Sequence, residues 1–175
     1  RARERGLDAL LIYGDREHCA NLAYLTDHDP RFEEALLVIP TDGAPALLLG
    51  NEGMVYAELV PIDIELKLFQ GFSLPGQKRE STPRFEPVLA ECGIGRGQRI
   101  GVAGWRYATA AESDDVAHWL EIPTFIAETL WAITGDRELL VNANDILMNP
   151  VDGLRTENSA AQLAVFEFAA SHCAA

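Results

Sequence analysis

Three short apolar runs near the start of the chain restrict its fold more than any other feature. They are ALLIY at 9–13, ALLVI at 35–39 and ALLL at 46–49. Each is too short for a helix of ordinary length, carries no charge, and is bounded by Gly, Pro, Asp or Asn, which reads as a strand buried on both faces. Asp42-Gly43 between the second and third runs is a hairpin signal, so that pair is antiparallel. Three further strands are expected at 62–68, 99–102 and, more weakly, 139–142. Helical patterns fill the spaces between strands, at 15–24, 52–59, 83–92, 112–120 and 124–133. Pro83 at the start of its helix and Gly93 after its end follow the usual helix asymmetry. Helices interleaved with strands, plus one hairpin, imply an α/β domain with a mixed, roughly six-stranded sheet.

Composition narrows the function classes. The 175 residues suffice for one domain with a real core, and 48% apolar with 23% charged residues is ordinary for a globular chain. A net charge of −13 leaves no basic footprint for nucleic acid and disfavours an anionic membrane surface. No apolar run reaches the length of a membrane span. Cys19, Cys92 and Cys173 are scattered and odd in number. They read as buried free thiols, which points to a reducing cytoplasm.

Several constellations were weighed for chemistry. Asp27-His28-Asp29 gathers possible ligands, but consecutive residues rarely converge on one ion, so a solvated loop is expected. Asp115 and His118 lie three apart and share a helical face, as an exposed pair. The glycines from Gly93 to Gly101 follow a helix and precede a strand, the reverse of a phosphate-binding fingerprint. No nucleophile elbow is present, and Trp119 and Trp131 read as core. No catalytic residue and no metal ligand is assigned. Residues 69–83 form the longest irregular stretch, expected to lie over their own domain or to meet another subunit. From Asn158 onward, Leu163, Phe166, Ala170 and Cys173 trace an amphipathic seam, with Asn158 or Ser159 as N-cap.

The order of these elements, with Asn21, Tyr24-Leu25-Thr26, Arg31 and Glu34-Ala35-Leu36-Leu37-Val38-Ile39-Pro40, resembles the N-terminal domain of the creatinase/prolidase/aminopeptidase P family. The likeness is strong over 6–53, moderate over 99–105 and 154–170, and weak between. Leu154-Arg155, Ser159, Leu163-Ala164 and Glu167 resemble the opening of that family's catalytic domain. Asn158 stands where a lysine is common, and Ala161-Gln162 where an acidic pair is common. The resemblance implies a three-layer, ribonuclease H-like domain over 1–153, with 154–175 leading toward a C-terminal catalytic domain absent from this chain. That domain would hold two divalent ions, manganese or cobalt, and hydrolyse Xaa-Pro bonds. This chain would cover its cleft and make the contacts of a homodimer or higher homo-oligomer. Arg31 and Phe32, with Asp29 or His28 on the same edge, would reach a neighbouring subunit's peptide substrate. From the residues alone, Arg31 could equally pair with Asp29, Glu33 or Glu34. A stand-alone binding module and a creatinase-like amidinohydrolase domain are the alternative readings.

Overall fold

A computed structural model describes residues 1–81 and 83–174. Six strands, β1 (Ala9–Gly14), β2 (Ala35–Pro40), β3 (Ala46–Leu49), β4 (Glu65–Leu68), β5 (Ile100–Ala103) and β6 (Leu140–Asn142), form one sheet in the order β4-β3-β2-β1-β5-β6. β2 pairs antiparallel with both β1 and β3, whereas β4, β5 and β6 each lie parallel to a neighbour. The helices are α1 (Ala20–Thr26), α2 (Asn51–Ala57), α3 (Phe85–Glu91), α4 (Thr124–Thr134), α5 (Asn144–Met148) and α6 (Ala160–Cys173).

Alternation along the strands splits the core into two layers. Ala9, Leu11 and Tyr13 face α3 and α4, meeting Val88, Leu89, Ile126 and Leu130. Leu10 and Ile12 face the other way, toward Leu22 of α1, Ala57 of α2 and Ile146 and Leu147 of α5. Every residue of β1 is buried, which is why its sequence shows no polar alternation. The result is a three-layer α/β/α domain with a mixed six-stranded sheet, as the apolar runs and the hairpin imply.

Several expected elements differ, each for a local reason. β4 starts at Glu65 rather than at 62, because its partner β3 offers only Ala46–Leu49 to pair with. Residues 15–19 are not helical: the Asp15 carboxylate accepts the backbone N–H of Glu17 and His18 at 2.9 and 2.8 Å, a turn that delays α1 to Ala20. The expected helix at 112–120 shrinks to a 3-10 turn at Val116–His118. There Glu112 is occupied by the Thr109 N–H at 2.8 Å and Ser113 by the Asp115 N–H at 3.1 Å. α5 was not anticipated; it begins where Asn142 Oδ1 accepts the Asn144 N–H at 2.9 Å. Trp131 packs at the edge of the core, but Trp119 is only half-buried, with the Arg106 guanidinium 5.3 Å above it.

The cysteines and the tail also depart from expectation. Cys92 is buried, Cys19 half-buried and Cys173 exposed. α6 starts with a capping box formed by Ser159 and Gln162. Its apolar side chains are not confined to the predicted seam, since Val165 and Phe168 lie off it and are as exposed as Leu163 and Phe166. Residues 69–81 lie over their own domain, with Phe72 buried against Phe69, Phe85 and Phe125 at ring separations of 4.9, 6.0 and 6.3 Å. Positions 82 and 175, at the ends of the expected arm and tail helix, lie outside the described residues. Among the described residues no helix is long and apolar enough to cross a membrane.

Candidate functional site

The loop between α1 and β2 carries the residues singled out in the sequence. α1 ends on Asp27 in the left-handed region, φ 59°, with its N–H bonded to the Ala23 carbonyl at 2.8 Å. Thr26 fixes the exit. Its hydroxyl donates to the Leu22 carbonyl at 2.8 Å and accepts the His28 N–H at 3.1 Å. The chain then alternates between inside and outside: His28 and Pro30 are buried, while Asp29, Arg31 and Phe32 are exposed. Arg31 Nε lies 3.3 Å from Asp29 Oδ2, and the backbone closes the same short turn, Arg31 N–H to Asp29 O at 2.8 Å. With both side chains more than half exposed, that pair contributes little to stability. The Phe32 ring leans on Tyr56 of α2 at 6.5 Å.

Glu33 anchors this loop, and nothing in the sequence marked it. Its side chain is buried and accepts three backbone N–H groups: Glu52 at 2.9 Å and Gly53 at 3.0 Å on one oxygen, Leu74 at 3.3 Å on the other. α2 has no capping side chain of its own. Glu33 therefore satisfies, from outside, donors that a helix start leaves free. The approach is so close that a Cβ on Gly50 would run into the Glu33 carboxylate and the Ser73 nitrogen. Neighbouring Glu34 instead accepts the Tyr13 hydroxyl at 3.0 Å. Burial pushes the Glu34 carboxyl above the usual carboxylate range, and burial with the Glu34 charge pushes the Tyr13 phenol up.

Arg31 stands between two open clefts. One, of about 230 Å³, is bordered by His28, Tyr56 and Leu59; the other, of about 260 Å³, by Arg16 and Phe32. The structure thus brings Asp29, Arg31 and Phe32 together on one exposed edge and seats His28 beneath it. An exposed guanidinium beside an aromatic ring can fork onto a carboxylate and cover apolar surface at once.

The possible metal ligands of the described residues lie apart or are already engaged. Asp27 and Asp29 are exposed while His28 between them is buried, so the three do not converge. The His118 ring nitrogens are taken by Asp115 at 2.9 Å and Glu138 at 3.3 Å. Among the described residues no three His, Cys, Asp or Glu side chains could hold one ion. The donors of the described residues do not fit a metal centre.

No protein-family model matches the chain, and no curated protein sequence does. Solved structures do match. The N-terminal domain of an X-Pro dipeptidase from Streptococcus pyogenes, described as a creatinase/prolidase N-terminal domain, superposes with a TM-score of 0.52 at 15% identity, covering 81% of this chain and 91% of that one. The chain has the creatinase/prolidase N-terminal fold. A Creatine_N superfamily domain of a dipeptidase from Streptococcus thermophilus has the same fold, with a TM-score of 0.54, 13% identity, and 83% and 88% of the two chains covered. Dipeptidase PepE from Mycobacterium ulcerans reaches 0.55 at 19% identity over 93% of this chain but 36% of its own. The chain spans about a third of the length of two longer matching structures, 30% of a prolidase from Pyrococcus horikoshii and 36% of PepE.

Proposed function

We propose that this chain is the non-catalytic N-terminal domain of a metal-dependent Xaa-Pro peptidase, spanning 1–153, with 154–175 leading into a catalytic domain. The observation that carries this reading is the match over nine-tenths of an isolated X-Pro dipeptidase N-terminal domain. In this reading the two divalent ions, manganese or cobalt, belong to residues outside this chain, where such a pair activates water and polarises the scissile carbonyl. This domain covers the cleft and makes the contacts of a homo-oligomer in the cytoplasm. Asp29, Arg31 and Phe32 form the edge that reaches a neighbouring subunit's peptide, and His28 is the floor of that edge. Their joint exposure, with no structural work for Arg31 beyond one solvated ion pair, supports the assignment.

The test is proline release from an Xaa-Pro dipeptide with manganese. The 175-residue chain alone should release none, and the same chain joined to its catalytic domain should turn over. Turnover that follows the concentration of the isolated, contaminant-free chain would refute the non-catalytic role.

A further inference from the structure

His28 has a second property that substrate contact does not use. Its residue surface is 3% exposed, and its buried Nε2 has no hydrogen-bond partner among the described residues. Buried polar atoms of native proteins are nearly always paired, so an exception calls for a reason. The ring borders a cavity of about 10 Å³, shared with Pro30, Leu49 and Gly53, which has room for one water at most. A counterion for a charged ring does not fit in that small space.

Most of the charged groups around the ring are already engaged. On the loop itself Asp27 is turned to solvent, and Asp29 is paired with Arg31. Just before β2, Glu33 is held by three backbone N–H groups and Glu34 by Tyr13. From α2, Glu52 accepts the Gln77 amide at 2.9 Å, and Tyr56 brings only a phenol. Among the described residues none of these carboxylates is bonded to Nε2.

We propose that His28 is a proton-operated latch on residues 27–32: neutral, it stays seated under the loop; protonated by solvent, it leaves its pocket and carries Asp29, Arg31 and Phe32 with it. Burial pushes the imidazole below the ordinary histidine range, against a weaker upward pull from Asp29. The sign follows. The open loop binds the proton more readily, so closure is complete above the ordinary histidine value of about 6.5 and is lost as pH falls below it. The latch is a property of this chain alone and does not depend on the substrate reading.

Amide hydrogen exchange on the whole chain tests it, because the His28 and Arg31 N–H groups are bonded in the closed loop and opening should release them. After correction for intrinsic rates, protection of these two amides should fall severalfold between about pH 7.5 and about pH 5. Protection of the buried Phe72 and Ser73 amides should stay level. In His28→Phe and His28→Gln the loop should lose this acid response. An unchanged loop in the wild type, or the same acid response in the variants, would overturn the latch. Should His28→Phe not fold, direct NMR titration of the wild-type ring decides: an ordinary or raised value, with the loop still protected when the ring is charged, contradicts it.

Discussion

Two irregular segments flank the start of α2, and they are held in opposite ways. Residues 69–81 are tied down twice. Phe72 sits in a cluster with Phe69 and Phe85, and polar bonds run from Gln70 to Asn51 at 2.9 Å, from Ser73 to the Asn51 N–H at 2.9 Å, and from Glu33 to the Leu74 N–H. Residues 27–32 have one buried ring with an unpaired nitrogen, one buried proline and a solvated ion pair. The longer segment is thus the firmer one. Firmness follows from where backbone donors and apolar rings are placed, not from loop length, and the looser segment is the one that presents Arg31 and Phe32.

The largest expected effect comes from breaking the firm segment. Phe72→Ala should cost about 3–5 kcal/mol in chemical denaturation, since it empties a space three other rings enclose. It should also expose the amides of 69–81 to exchange. A loss below about 1 kcal/mol would mean that the aromatic cluster does not hold the arm.

Next is Glu33→Ala, which touches both segments because Glu33 directly follows residue 32 and its carboxylate joins α2 to the arm. Three backbone donors lose their acceptor, for about 2–3 kcal/mol. Glu33→Gln keeps one acceptor oxygen and should fall between. Equal stability of both variants and wild type would show that water replaces the carboxylate at no cost.

Much of this was readable beforehand, and the misses share a cause. β1, β2 and β3 stood out because burial on both faces leaves an uninterrupted apolar run, and Asp42-Gly43 fixed the sense of one pair. The start of α1 and the stretch at 112–120 were misjudged because Asp15, Glu112 and Ser113 bond the nearby backbone, and helical periodicity does not show such competition. α6 was read as a seam, yet Val165 and Phe168 make it apolar on several faces. At the site, Arg31 and Phe32 were identifiable as loop residues before a strand. Glu33 was not: beside Glu34 it looks like a second surface acid, and only the approach of α2 through Gly50 makes it a buried anchor.

The smallest stability effect belongs to the loose segment. Arg31→Ala should cost at most about 1 kcal/mol, because its ion pair with Asp29 is solvated on both sides. A large drop in melting temperature would erase the contrast between the two segments and make Arg31 structural.

The same substitution, placed in the chain joined to its proposed catalytic domain, gives the decisive measurement: kcat/KM for substrates with a free carboxylate and for blocked ones. Loss of a charge-assisted contact to that carboxylate should lower kcat/KM by about ten- to a hundredfold for free substrates and much less for blocked ones, with folding unchanged. Kinetics equal to wild type on both substrates would contradict a substrate role for the 27–32 edge.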